Sequence, residues 1–183
     1  SLLNQLTLEE KIGQMNQKII GENIFSTGPN ESQKNKQVYN IGSVLNSAST
    51  KNVKEIQDEY LQNSRLKIPL LFMNDIINGY KTIFPCPLAQ GCSWNIKKIK
   101  KVAEISKKES IYSGINVTFS PMVDLSRDGR WGRCLETIGG EDPYLASVYA
   151  KTIIEENQKG NKLASCVKHF AAYGASEAGR DYN

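Results

Sequence analysis

The segment ASCVKHFAAYG contains the only histidine of the chain, His169, with Lys168 directly before it. A lone histidine can serve as a metal ligand, a general base, a hydrogen-bonding partner of a ligand or a core residue. Adjacent strand residues point to opposite faces, so both side chains can serve one site only where the strand ends. Two hypotheses remain from these residues: a ligand site built on both, or an exposed Lys168 beside a hydrogen-bonded core His169.

A second polar segment, SRDGRWGRCLE, contains three arginines, a tryptophan and two acidic residues. Arginine forks bind carboxylates, phosphates and vicinal hydroxyl pairs, and tryptophan offers a flat apolar face to sugars or bases. The segment therefore indicates a ligand-binding loop. The alternative is an arginine–aspartate network that only shapes the loop.

A carboxylate, Asp75, follows the apolar segment IPLLFM, and Gly79 permits a tight turn behind it. A carboxylate at that point can accept hydrogen bonds from two hydroxyl groups. A helix-capping role for Asp75 is the competing hypothesis.

The elements that carry these residues alternate between strand and helix. Helices are predicted to begin at Leu8 after a capping box, at Thr50, after Asn95 and, with a proline first residue, after Asp142. The helix after Asn95 is lysine-rich, and its lysines are expected on a solvated face. It should end near Gly114. Four strands are predicted, at residues 41–46, 68–73, 116–120 and 163–168. This alternation predicts an α/β fold with a parallel sheet.

The polar segments follow the carboxyl ends of the predicted strands. Asn46 and Ser47 follow the first strand, Asp75 the second, the arginine-rich segment the third, and Lys168 with His169 the fourth. In α/β folds, and above all in (β/α)8 barrels, that end of the sheet carries the site. Four strands amount to about half of an eight-stranded barrel.

The composition excludes several classes of protein. A net charge of +4, 39% apolar and 23% charged residues are typical of a soluble globular chain, and neither nucleic acid nor a membrane is predicted as a partner. One histidine and four irregularly spaced cysteines do not predict a metal site. A doubly wound nucleotide-binding domain would need a phosphate loop, which we do not find, and no cofactor is predicted.

Taken together, LTLEEKIGQM, IPLLFMNDIINGY…TIFPCPLAQGCSWN, FSPMVDLSRDGRWGRCLETIGGEDPYL and CVKHFAAYG resemble the N-terminal catalytic domain of glycoside hydrolase family 3. The resemblance runs in order from about Leu6 to Asn183 and is nearest to the β-glucosidase branch. It implies a parallel (β/α)8 barrel of which residues 1–183 form about the first half, as part of one catalytic domain with no second domain in the chain.

The resemblance also implies roles for individual residues. Lys168 and His169 match the pair that hydrogen-bonds the hydroxyls of the terminal sugar. Asp75 matches an aspartate that grips hydroxyls, and Arg133 matches an arginine that contacts the same sugar. Arg130 is expected to support the loop.

The implied activity is that of a retaining, exo-acting β-glucosidase that releases terminal β-linked glucose from glucosides or oligosaccharides. The family's nucleophile and acid/base lie beyond Asn183, so no catalytic residue is assigned, and these 183 residues alone are expected to be inactive. The implied partners are the substrate, the remainder of the barrel and a following domain, and open sheet edges favour self-association. A secreted, periplasmic or lysosomal location is favoured over the cytoplasm. The alternative function is an inactive carbohydrate-binding module derived from such an enzyme.

Overall fold

The computed structural model describes residues 1–20, 40–46 and 50–181. Ser47, which follows the first predicted strand, lies outside the described residues. Two compact units are distinguished, one formed by Ser1–Asn74 with Tyr112–Val117 and the other by Asp75–Ile111 with Thr118–Asn183. That residues 1–183 belong to one barrel domain stays a prediction.

The first unit contains the helices and strands of the chain's beginning. The Thr7 hydroxyl accepts a hydrogen bond from the Glu10 amide at 3.2 Å, and the Glu10 carboxylate accepts one from the Thr7 amide at 2.8 Å, which confirms the predicted capping box. The elements are α1 (Leu8–Gln14), β1 (Gln17–Ile19), β2 (Ser43–Leu45), α2 (Thr50–Asn63) and β3 (Leu71–Asn74).

Strand β1 was not among the predicted strands, so the expectation of four strands is wrong. Its three residues, Gln17 to Ile19, are exposed and carry neither an apolar run nor a clear alternation. The strand forms through backbone pairing, because Gln17 to Ile19 align in parallel with Ser43 to Leu45 of β2. Strand β2 aligns in parallel with β3 in turn.

The core of the first unit consists of the apolar residues predicted for its elements. Val53, Ile56 and Tyr60 form the buried face of α2, and the Tyr60 hydroxyl donates to the Ile41 carbonyl at 3.1 Å. Gly114, with a φ of +86°, lies two residues after the lysine-rich helix, and a Cβ there would come within 2.6 Å of Val53. Only glycine fits this left-handed position without strain, which confirms the predicted helix end.

The second unit carries the remaining helices and the last strand. The elements beyond β3 are α3 (Pro87–Gly91), α4 (Ile96–Tyr112), β4 (Val117–Thr118), α5 (Pro143–Gln158) and β5 (Ala164–Ser165). The predicted caps are confirmed, since Asn95 accepts from the Lys98 amide at 3.1 Å and Asp142 accepts from the Tyr144 amide at 2.8 Å. The short helix α3 was not predicted, because a proline-led single turn has no amphipathic period.

The strands follow chain order in a five-stranded sheet, β1-β2-β3-β4-β5. The Asn116 amide donates to the Phe72 carbonyl at 2.9 Å, and the Cys166 amide donates to the Thr118 carbonyl at 2.8 Å. The predicted parallel α/β class is confirmed.

One lysine of α4 departs from the predicted solvated face. Lys107 is 8% exposed, and its ammonium group donates to the Glu156 carboxylate of α5 at 2.7 Å and to the Glu156 carbonyl at 2.6 Å. A lysine can be buried here because both partners satisfy its charge and its donors. The expectation that the lysines of α4 lie in water is wrong at this position.

Candidate functional site

Lys168 and His169 lie beyond the end of β5, in a segment held by backbone hydrogen bonds to the chain after β4. The Lys168 amide donates to the Pro121 carbonyl at 3.3 Å, and the Val123 amide donates to the Lys168 carbonyl at 2.9 Å. The peptide bond between Lys168 and His169 is cis. Because the strand ends at Ser165, strand alternation does not force the two side chains apart.

The Lys168 side chain is paired rather than free. Its ammonium group lies 2.6 Å from Asp75 Oδ1, and the two side chains are 14% and 42% exposed. The hypothesis of an exposed Lys168 is therefore wrong. Asp75 directly follows β3 and lies twelve residues before α3, so it does not cap that helix.

The turn behind Asp75 depends on Gly79. Its φ is +95°, and a Cβ at this position would come within 2.0 Å of the Thr82 carbonyl oxygen. The turn predicted from the sequence is therefore present and requires glycine.

His169 is hydrogen-bonded to a buried carboxylate, that of Asp124. Asp124 Oδ2 accepts from the His169 backbone amide at 3.0 Å and lies 2.8 Å from the imidazole Nδ1. The Asp124 side chain is 2% exposed and the His169 side chain 31%. His169 is thus neither a wholly buried core residue nor free to rotate.

Arg133 connects His169 to the arginine-rich loop. Its guanidinium binds both oxygens of Glu136, with Nε 2.8 Å from Oε1. Nη1 lies 3.4 Å from His169 Nε2, and Cζ lies 5.4 Å from the centre of the Tyr173 ring. The Glu136 carboxylate raises the pKa of Arg133 above its usual range.

Arg130 lies on the same loop, but no hydrogen bond or ion pair joins its side chain to the other predicted site residues, Asp75, Arg133, Lys168 and His169. Its guanidinium binds Asp128 two residues earlier, with Nη2 2.7 Å from Oδ2, and its own side chain is 72% exposed. The side-chain and backbone hydrogen bonds from Arg130 lower the pKa of Asp128 to about 2. The loop therefore contains both a local arginine–aspartate pair and an arginine that reaches His169.

Trp131 does not offer its face to a ligand. It is 1% exposed, packs with Met122 and Cys134, and donates through Nε1 to Asp181 at 2.6 Å. Its ring meets Tyr173 edge to face with centroids 5.2 Å apart. The tryptophan anchors the loop, so its hypothetical role as a platform for sugars or bases is wrong.

Three residues of this network were not among the predicted site residues: Asp124, Glu136 and Tyr173. Asp124 could have been found by a related signal, since it lies in the segment that follows β4, as Asp75 follows β3, at the carboxyl edge of the sheet. No comparable sequence signal marks Glu136 and Tyr173, because their roles depend on their contacts with Arg133 and His169 in the folded chain.

Other kinds of site receive no support from the described residues. No group of three or more histidine, cysteine or acidic residues lies together there as a metal site would require. The four cysteines are free thiols. In the described part of the chain, no helix combines the length and apolar character of a membrane crossing.

The fold and the site define a class of protein: a parallel α/β chain with a cluster of paired carboxylates and cations just beyond its strand ends. Asp75, Arg133, Lys168 and His169 present several fixed hydrogen-bond donors and acceptors, an arrangement suited to a polyhydroxylated ligand. The chain matches the family described as "Glycosyl hydrolase family 3 N terminal domain" over residues 7–183. It belongs to glycoside hydrolase family 3.

Known relatives agree with this assignment. The chain is 38% identical to a periplasmic β-glucosidase of Salmonella typhimurium, over 100% of the chain and 24% of that protein. It is 28% identical to a lysosomal β-glucosidase of Dictyostelium discoideum, over 99% of the chain and 26% of the relative. A structure of a Listeria innocua β-glucosidase in complex with glucose matches at 45% identity and a TM-score of 0.86, over 100% of this chain and 28% of that one.

These matches confirm the predicted family and the (β/α)8-barrel type of fold. The chain spans about a quarter of the length of the relatives it matches. The assignment of sugar contacts to particular residues stays a prediction.

Proposed function

We propose that this chain supplies the sugar-binding residues of a retaining, exo-acting β-glucosidase, with Asp75, Arg133, Lys168 and His169 binding the hydroxyls of a terminal β-linked glucose. The observation that carries the proposal is the arrangement of these residues in two neighbouring pairs. Lys168 contacts Asp75 at 2.6 Å, and the adjacent His169 contacts Arg133 at 3.4 Å. Such pairs hold donors and acceptors in place before a sugar arrives, which lowers the entropic cost of binding. The relative in complex with glucose supports the choice of sugar.

Each carboxylate of the site already has a basic partner, and we assign none of them to cleavage of the glycosidic bond. Hydrolysis with retention needs a nucleophile and an acid/base about 5–5.5 Å apart across the bond. Asp75 is paired with Lys168, Asp124 with His169, and Glu136 with Arg133. We therefore assign the nucleophile and the acid/base to parts of the protein outside these residues, which makes the remainder of the barrel and a following domain partners of this chain. The periplasmic and lysosomal relatives support a location outside the cytoplasm.

The experiment that tests this proposal measures kcat/KM on an aryl β-glucoside for the whole protein that carries this chain. Replacing Asp75 or Arg133 by alanine removes charge-assisted hydrogen bonds to the sugar, each worth about 1.5–3 kcal/mol. Each replacement is expected to lower kcat/KM at least about tenfold.

A matched control is Asp58→Ala, which removes an exposed carboxylate that pairs with Lys54 in α2. This variant is expected to keep the activity of the unaltered protein. Unchanged kcat/KM in both Asp75→Ala and Arg133→Ala would contradict the site assignment. Glucose binding without any hydrolysis by the unaltered protein would instead favour an inactive carbohydrate-binding module.

A further inference from the structure

One carboxylate oxygen of Asp124 contacts two nitrogen atoms of His169. Oδ2 accepts from the His169 backbone amide at 3.0 Å and lies 2.8 Å from the imidazole Nδ1. An ionised carboxylate is an acceptor only, so Nδ1 must carry a proton to make this contact. With its side chain 2% exposed, Asp124 lies where water does not compete for these hydrogen bonds.

The other imidazole nitrogen faces a group that can only donate. Arg133 Nη1 lies 3.4 Å from His169 Nε2. A guanidinium has five N–H donors and no acceptor, so a protonated Nε2 would bring two donors face to face. The two contacts therefore favour the same tautomer, with the proton on Nδ1 and a lone pair on Nε2.

The orientation of the ring is fixed as well as its tautomer. Tyr173 packs edge to face against the imidazole with ring centroids 4.7 Å apart, and Trp131 packs against Tyr173 in the same manner. A flip of the imidazole would exchange its nitrogens and carbons and would break the Asp124 contact. The ring is thus held by Asp124 on one nitrogen and by an aromatic neighbour beside it.

We infer that Asp124 is a positioning residue, which keeps His169 in the Nδ1–H tautomer so that Nε2 remains an acceptor. Nε2 faces Arg133 Nη1 in the sugar-free protein, and a hydroxyl of the bound sugar takes the place of Arg133 at this nitrogen. The part of this inference that concerns sugar rests on the proposed function. The tautomer itself is a property of the sugar-free protein. No contact between Asp124 and the sugar is required.

This tautomer gives the site an ordered set of hydrogen-bonding groups. Asp75 and His169 Nε2 accept, whereas Lys168 and Arg133 donate. A hydroxyl group donates once and accepts as well, so neighbouring hydroxyls can each meet an acceptor and a donor. A protonated Nε2 would remove one acceptor and leave three donors around one carboxylate.

The first test uses the whole protein that carries this chain, with the ring signals of His169 identified by their loss in His169→Gln. We expect ¹⁵N spectra of histidine-labelled protein at about pH 9, where an ordinary imidazole is neutral, to show a protonated Nδ1 and an unprotonated Nε2 in His169. The opposite pattern in the unaltered protein would overturn the inference, and this measurement needs no sugar.

The second test is Asp124→Leu, which keeps about the size of the side chain but removes the acceptor that faces Nδ1. Without that acceptor, the neutral imidazole loses much of its preference for a proton on Nδ1. We expect the two ¹⁵N signals of the ring to move towards each other and kcat/KM of the whole protein on an aryl β-glucoside to fall at least about tenfold. Asp58→Leu, the matched control, should change neither quantity.

The two tests separate the inference from the proposed function. An unchanged tautomer in a folded Asp124→Leu protein would refute the role of Asp124, whatever the activity. Absence of glycoside hydrolysis by the unaltered whole protein would contradict the proposed function, and the ¹⁵N pattern would still decide whether Asp124 sets the tautomer. A shifted tautomer balance with undiminished kcat/KM would overturn the acceptor role of Nε2.

Discussion

At the residue scale, Arg130 and Arg133 of the loop show how similar side chains take different positions. Arg130 folds back on Asp128 two residues earlier and is 72% exposed, whereas Arg133 binds Glu136 and reaches His169. Sequence spacing decides this difference in part, because Asp128 also accepts from the Arg130 backbone amide in a local turn. The prediction that Arg130 supports the loop can be tested through Asp128.

Arg130→Ala is expected to raise the pKa of Asp128 from about 2 towards its usual value near 4, because its main hydrogen-bond donor is lost. A carboxyl whose pKa is lowered by folding stabilises the folded state above its unfolded pKa. The stabilisation is then lost as the pH falls from about 4 towards 2. Titration of the Asp128 carboxyl carbon by ¹³C NMR measures the shift.

Arg130→Lys is the matched variant, since it keeps the positive charge but not the planar fork. An intermediate pKa is expected for Asp128 in that protein. The same titration curve in the unaltered protein and Arg130→Ala would show that the pair contributes nothing to the loop.

At the element scale, α4 and α5 are joined by a buried ion pair. The Lys107 and Glu156 side chains are 10% and 6% exposed, and Lys100 lies 4.0 Å from the same carboxylate. Desolvation of the two charges offsets much of their attraction, so the pair adds little net stability. Removing one partner alone leaves an uncompensated buried charge.

Glu156→Leu is therefore expected to lower the free energy of unfolding by about 3–5 kcal/mol, because Lys107 would lose its carboxylate partner. The double variant Lys107→Met with Glu156→Leu is expected to recover most of that loss, since an apolar pair of similar volume can replace a buried ion pair. Urea denaturation of the single and double variants measures both values. A double variant as unstable as the single one would contradict this account.

At the scale of the whole molecule, the strands at the two ends of the sheet order are short and exposed. All three residues of β1 are exposed, and β5 has only two residues. Val167, just after β5, is 45% exposed, and Phe170 is fully exposed. Unpaired strand edges with apolar neighbours are surfaces to which another chain can add.

The 183-residue chain by itself is expected to associate in a concentration-dependent manner, because among the described residues no further strand pairs with the outer edges of β1 and β5. Sedimentation velocity over micromolar concentrations measures the association. Val167→Lys should weaken it, since a charge beside β5 opposes edge pairing. A single monomeric species with a cooperative melt across that range would refute the prediction.

The sequence by itself determined the features that depend on a few neighbouring residues. The capping box at Thr7, the caps Asn95 and Asp142 and the helix-ending Gly114 all act within one turn of the chain, so their residue types carry the information. The apolar strand segments and the family motifs were equally readable. These signals predicted the parallel α/β fold and the residues proposed to bind sugar.

Only the tertiary structure decided which distant residues meet. Strand β1 exists because its backbone pairs with β2, and Lys107 is buried because Glu156 of another helix faces it. Asp124 contacts His169, which lies 45 positions later in the sequence. No local pattern specifies such contacts, since they depend on how strands align and helices pack. The sequence therefore named four candidate residues of the site, and the packing of the chain determined which nitrogen of His169 faces Asp124 and which faces Arg133.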